Sequence, residues 1–317
     1  MLIEQCIEPL FNGRSKSSER ARPGNEAYNQ IIFRGDLVRI GLFRCRPWHD
    51  LFQNDRQAQG HYLVFPRASV YITPEGKQPI VADPNVVIFY NRYQLYRRAR
   101  LSDQGDASVY FDFSPKALLD ALRPYDPAVM ERPHQPFTLD HGPSDPQSYL
   151  LQRLVVAHLL DETQPDRLFV QETMLQVLDR VLENGLPGTQ SNGESDATRR
   201  AHAELAHETR SLLTSRFQES LSLAQIAAEL YASPFHLSRV FRRQTGYTIH
   251  RYRNQLRLRV GLEHVLHSDI DLGELAGSLG YANHSHFTKA FRTLFQSTPS
   301  ELRRSRSLPE MSKNLTV

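Results

Sequence analysis

Cysteine is nearly missing: 317 residues hold two, Cys6 and Cys45. That is too few for the disulfide framework of a small secreted domain and is in keeping with a reducing compartment. No apolar run approaches the roughly 20 residues that a membrane-spanning helix needs, so an integral helical membrane protein is excluded. The amino terminus, MLIEQCIEPLFNGRSKSSER, lacks a charged start followed by the short apolar stretch of an export signal. No secretory leader is read there, and a cytoplasmic location is expected. A large net charge is missing too: the formal value is +3, too small to argue from.

What is present is unevenly spread. At roughly 150 residues per domain the length suggests two domains. From Arg199 onward there are 17 Lys and Arg against 10 Asp and Glu, so the preceding part is net acidic. Seven arginines and no acid lie between Arg239 and Arg259, the footprint of a surface that meets phosphate. The composition breaks at 184–198, NGLPGTQSNGESDAT, which reads as a flexible linker. It separates a front domain, 1–183, from a second domain at 199–306, with 307–317 as a disordered tail.

Before the linker, short β-branched and aromatic runs alternate with turn residues: IIFRGDLVRIGLFR, HYLVFP, SVYIT, PIVA, NVVIFY, QLYRRARL and SVYFDF. This cadence predicts an antiparallel sandwich or barrel. Helices follow over Gln147 to Leu160 and Asp166 to Leu182. The second carries a stripe of Val170, Met174, Val177, Leu178, Val181 and Leu182, fit to cover the sheet or to pair with another subunit.

After the linker the period is helical. Ser222 and Gln225 form a capping-box pattern ahead of Leu223, Ile226, Ala227 and Leu230. Ser233-Pro234 then starts a second helix, with Leu237, Val240 and Phe241 inward and a basic outer face. Two short helices joined by a tight turn describe a helix-turn-helix. The pattern recurs. Asp271 with Glu274, then Leu272, Leu275, Ala276 and Leu279, match the first unit at an offset of 49. After the turn at Gly280 the offset is 50, with Asn283 as cap and Phe287, Ala290 and Phe291 inward. A helix over roughly Ile249 to His267 joins the units; about 18 residues give roughly 27 Å, a spacer suited to readers one DNA turn apart. Gly261 within it costs about 1 kcal/mol against alanine unless close helix packing needs it. Arg257 is expected to pair internally with an acid. His264 and His267 lie three apart without further metal ligands.

Residues 205–304 resemble the AraC/XylS family of bacterial transcription regulators. The stretches that carry the resemblance are SLAQIAAELYASPFHLSRVFRRQTG and LRLRVGLEHVLHSDIDLGELAGSLGYANHSHFTKAFRTLFQSTPSELRR. The resemblance implies a sequence-specific DNA-binding regulator, expected to be an activator. Carried over by position, base contacts fall on Phe235, Ser238 and Arg239 in the first unit and His284, Ser285 and Lys289 in the second. Arg242, Arg243 and Arg292 are placed for phosphates. Double-stranded DNA is the expected partner, RNA polymerase a further one if the protein activates, and a homodimer fits the family.

The family also implies a cupin-like front barrel that binds an effector or dimerises, giving an α+β chain with an all-α carboxyl-terminal domain. Trp48, Tyr62, Phe89, Tyr93, Tyr96 and Tyr110 are candidates to line an apolar effector pocket. Two alternatives stand beside this reading. One is a cupin-type metalloenzyme with a DNA-binding tail, which would call for a His-x-His pair that the isolated His49 and His61 do not supply. The other is a ligand-independent regulator whose front domain only dimerises. No cofactor, metal site or catalytic residue is expected; Cys45, Trp48 and His49 are read as packing.

Overall fold

The computed structural model describes residues 27–161, 165–185 and 196–304. Among these, the front domain holds ten strands: β1 (Ala27–Arg34), β2 (Val38–Cys45), β3 (Arg56–Gln57), β4 (Tyr62–Ala68), β5 (Val70–Pro74), β6 (Ile80–Ala82), β7 (Val86–Tyr90), β8 (Leu95–Arg100), β9 (Asp106–Phe113) and β10 (His141–Pro143). A one-turn helix α1 (Asp50–Gln53) follows β2, and α2 (Pro115–Leu122), α3 (Pro146–Asp161) and α4 (Arg167–Gly185) come later. All the pairings are antiparallel. They build a six-stranded sheet, β1-β2-β9-β4-β7-β10, and a four-stranded sheet, β3-β8-β5-β6.

Side-chain alternation decides what each face meets. On β2 and β4, Ile40, Leu42, Leu63 and Phe65 join the core under the helices, while Cys45 belongs to a second core between the sheets, with Ile72, Ala82 and Ile88. Both faces of the larger sheet are therefore buried, which is why VVIFY of β7 is apolar throughout. The stripe on α4 is 0–2% exposed and packs into the same core as the sheet. Of the two uses expected for it, covering its own sheet is the one observed.

The carboxyl-terminal domain contains α5 (Asp196–Ser215), α6 (Leu223–Glu229), α7 (Pro234–Thr245), α8 (Ile249–His267), α9 (Leu272–Ser278), α10 (His284–Phe295) and α11 (Pro299–Arg304). Residues 184, 185 and 196–198, read as linker, are thus helical; 186–195 and the tail lie outside the described residues.

The two units fold as their caps dictate. Ser222 and Gln225 close a capping box on α6, and Ser233 caps α7 ahead of Pro234. Asp271 and Asn283 accept backbone N–H bonds at the starts of α9 and α10. The duplication extends to the backbone. Left-handed residues sit at both turns, Tyr231 (φ 51°) and Gly280 (φ 80°), and after both second helices, Gly246 (φ 75°) and Gln296 (φ 59°). The second turn holds one residue more, Ala282, and where the first unit has Ala232 it has Tyr281, whose hydroxyl donates to Asn254 Oδ1 at 2.7 Å on α8.

Helix α8 is the axis of the chain. Its 19 residues make a rod of about 28 Å, from a rise of about 1.5 Å per residue. A Cβ on Gly261 would lie 3.0 Å from Leu279 and 3.1 Å from Phe287, so the glycine admits the second unit closely. On its other side α8 meets the front domain. Tyr252 donates to Asp83 at 2.5 Å, and Asn85 donates to the Tyr252 carbonyl at 3.1 Å. Arg259, fully buried, donates to Asn85 and to the Ser144 carbonyl and lies over the Tyr149 ring. Glu263 is paired with Arg67 of β4 and Arg153 of α3.

Arg257 is not paired with an acid, contrary to expectation. It donates to the carbonyls of Phe217 (2.6 Å), Gln218 (3.1 Å), Glu219 (2.9 Å) and Gly280 (2.9 Å). One guanidinium thereby ties the entry to the first unit to the turn of the second. Replacing it leaves these acceptors without donors in a buried setting. Arg257→Met should cost about 3 kcal/mol, and Arg257→Lys should recover only part, because an ammonium lacks the planar fork; urea unfolding of the full chain measures both.

A second prediction separates conformation from crowding. A Cβ on Gly246 meets nothing within 4 Å, whereas one on Gly280 would lie 2.3 Å from the Gln218 carbonyl oxygen. Gly246→Ala should cost only the left-handed penalty, about 1–2 kcal/mol, and Gly280→Ala clearly more. Tyr231→Gly should stabilise, since it removes that same penalty; thermal melts rank the three.

Candidate nucleic-acid interface

The second helix of each unit presents its outer face to solvent. On α7, Phe235 is 77% exposed, Arg239, Arg242 and Arg243 are exposed, and Ser238 is half-buried. These five residues line one shallow groove. Their inward neighbours Leu237, Val240 and Phe241 are buried, so the 3.6-residue period sets which side faces out. Packing of α5 against α7, with the His202 and His236 rings 5.5 Å apart, holds the helix from behind.

The second unit offers a different surface. His284, Ser285, Lys289 and Arg292 are all exposed on α10. They do not share a groove as the first set does. His284 opens toward Asp269, Asp271 and Arg303, whereas Lys289 lines a groove with Arg251, Asn254 and His286 on α8 and α10. Backbone N–H groups of Glu274 and Gly273 hold the Asp271 carboxyl below its usual range, with His284 and Arg303 adding to the effect. A carboxylate therefore flanks the first turn of α10, where an approaching phosphate is disfavoured. The first unit has no such acid on the groove it forms.

The run of seven arginines overstates the charge on this face. Arg257 and Arg259 are buried, and half-buried Arg253 donates to the Leu221 carbonyl at 2.7 Å. Arg239, Arg242, Arg243 and Arg251 remain exposed. Charge counting could not tell these groups apart, because a helix buried along both sides spends arginines on carbonyls as readily as a surface spends them on phosphate. Arg251, stacked over the Tyr247 ring at 5.2 Å and lining the groove of Lys289, is an exposed cation that sequence reasoning left unassigned. Tyr231, 99% exposed at the first turn, is another residue it passed over.

The residues proposed for an effector pocket scatter. Trp48 and Tyr93 are 56% and 58% exposed. Phe89 faces α4, stacked on Phe137 at 5.2 Å, in a narrow cleft on the outer side of the sheet. Tyr62 and Tyr110 instead pack at 5.2 Å within the barrel, and Tyr96 packs against Tyr90 at 4.6 Å. Burial and the nearby Asp112 push the Tyr62 hydroxyl up to about 12. Arg98 lies among these rings, donating to Asp106 at 2.6 Å and to the Tyr96 hydroxyl at 3.0 Å. Arg98 is a residue between the sheets that aromatic content could not single out. His49 caps α1, its Nδ1 accepting from the Leu51 N–H, and Cys45 is buried in the inter-sheet core. Among the described residues, no three His, Cys, Asp or Glu side chains converge as a metal site.

Comparison with known proteins points to the same domain. Residues 226–305 match a protein family described as a helix-turn-helix domain. The regulatory protein PocR of Salmonella typhimurium is 27% identical over 115 residues, 35% of this chain and 38% of that protein. The HTH-type transcriptional activator RhaS of Escherichia fergusonii is 39% identical over 95 residues, 30% of this chain and 34% of its own. The bifunctional transcriptional activator/DNA repair enzyme AdaA of Bacillus subtilis is 28% identical over 94 residues, 30% and 44% of the two chains. The chain thus spans well under half the length of these curated relatives. A structure of ToxT from Vibrio cholerae aligns over 84% of this chain and 98% of that one at 13% identity, with a TM-score of 0.32, too loose a superposition to build on. The capped duplicate units and the matched segment together place the carboxyl-terminal domain of this chain among the AraC-type helix-turn-helix domains.

Proposed function

We propose that the whole chain is a sequence-specific transcription regulator that reads double-stranded DNA with α7 and α10. The observation that carries this reading is the pair of capped units, each with its second helix exposed on a polar and basic face and both seated on one buried helix. Such faces bind phosphate through charge and bases through side chains in the major groove.

The two units divide the work unequally. Arg239, with Phe235 beside it, suits bidentate recognition of guanine and contact with a thymine methyl. Lys289 and Arg292 suit phosphates, and the acid beside His284 weakens base reading there. Activation through RNA polymerase, a homodimeric state and a cytoplasmic location complete the reading, which assigns no enzymatic activity. In the front domain, Tyr62, Tyr96 and Tyr110 remain the candidates for an effector, joined by Tyr90 and Arg98. Trp48, Phe89 and Tyr93 drop out, because they point elsewhere.

Sites selected from random duplexes by the full chain provide the test. Arg239→Ala should erase about 1–3 kcal/mol of preference at one base pair while nonspecific affinity stays nearly unchanged. Arg242→Ala should weaken all sequences alike and lower the salt slope of log affinity by about one. Equal loss on every sequence from Arg239→Ala would remove it from base reading.

A further inference from the structure

The joint between the front domain and α8 contains more positive charge than its partners neutralise. Arg67, Arg153 and Arg259 are 4%, 0% and 0% exposed. Among the described residues, Glu263 is the single acid paired with any of them. Its Oε2 accepts from Arg67 and from Arg153 Nη2 at 2.8 Å. Its Oε1 meets Arg153 Nε at 2.6 Å and accepts from the Tyr149 hydroxyl at 3.2 Å. Arg153 Nη2 also lies 2.8 Å from Nε2 of His267, one turn further along α8. Arg67 Nε, Arg67 Nη1 and Arg153 Nη1 are buried without an acceptor, and Arg153 Nε, close as it is to Oε1, makes no aligned hydrogen bond.

A buried guanidinium needs an acceptor for each of its N–H groups, and an unused buried N–H is costly. Proximity of the two arginines shows in their chemistry. Burial, and then Arg67, draw Arg153 down to about 10, while Arg153 and Arg67 overcome burial to hold the Glu263 carboxyl at about 2. The donors that grip the carboxylate come from the front domain, on β4 and α3; the carboxylate, with His267 at its edge, comes from the DNA-binding domain. That division is the informative feature. A cradle shaped to grip a carboxylate through two guanidiniums and a phenol, with donors left over, is filled by a residue that leaves whenever the domains part.

We propose that Arg67, Arg153 and Tyr149 form a carboxylate-binding site of the front domain, that Glu263 of α8 is its intramolecular occupant, and that a small-molecule carboxylate competes with Glu263 for it. Occupation by the external carboxylate frees α8 from the front domain. This rests on the regulatory reading above and names the chemistry of its effector: a carboxylic acid, bound at the joint between domains. The geometry favours a two-oxygen anion, because Arg67 and Arg153 Nη2 donate to one oxygen of the group while the Tyr149 hydroxyl donates to the other.

Hydrogen exchange of the full-length wild-type protein tests this without DNA, so its failure is distinct from a failure of DNA recognition. Sodium acetate, sodium benzoate and sodium phosphate are compared with sodium chloride at equal ionic strength. Amides of Tyr252 to Leu266 are expected to exchange several-fold faster in at least one carboxylate than in chloride. Glu263→Gln should show the fast exchange without any added anion, and Arg67→Lys, which keeps the charge but loses the fork, should blunt the response. Equal exchange in carboxylate and chloride overturns the proposal, as does a Glu263→Gln protein protected like wild type. A response to phosphate alone overturns the assignment of a carboxylate.

Discussion

Helix α8 is covered on both long sides, and that burial is the constraint around which the chain is arranged. From residue 255 to residue 266 every position of this helix is buried, so a polar side chain there needs its partner inside the protein. Arg257 turns toward carbonyls of the DNA-binding domain, Arg259 toward Asn85 and Ser144, and Glu263 toward Arg67 and Arg153. Because these groups alternate between the two sides, the helix spaces the reading units and also fastens them to the front domain. Movement of either domain is felt along the same 19 residues.

How this came to be half legible in the sequence follows from what each pattern encodes. Local chemistry was readable: Ser222, Ser233, Asp271 and Asn283 cap the helices expected of them, and the apolar runs of the front domain became β1, β2 and β4 to β9 in place. Strand order was not readable, since β2 pairs with β9 and β9 with β4 through contacts far apart along the chain. Nor was the fate of the arginines. Arg257 and Arg242 have the same charge and lie on neighbouring helices; only the packing of the whole chain sends one to four carbonyls and leaves the other in solvent.

The candidate pocket shows the same limit from the other side. Aromatic residues on strands are frequent both in barrel interiors and beneath covering helices, and alternation tells which residues share a face but not which face is inside. Phe89 and Tyr90 are neighbours, yet one meets Phe137 near α4 and the other meets Tyr96 between the sheets. A chain read without its partners offers no means of assigning the sides.

The extra residue in the second turn breaks the symmetry of the duplication. Beside it, Tyr281 grips Asn254 where the first unit has the short Ala232, and the exposed faces of α7 and α10 carry different side chains. Two unlike exposed faces held in fixed order by one buried helix give the carboxyl-terminal domain a front and a back. If both faces meet one duplex, as proposed, a single copy tells a site from the same site turned end for end, and the direction of approach becomes part of what is recognised.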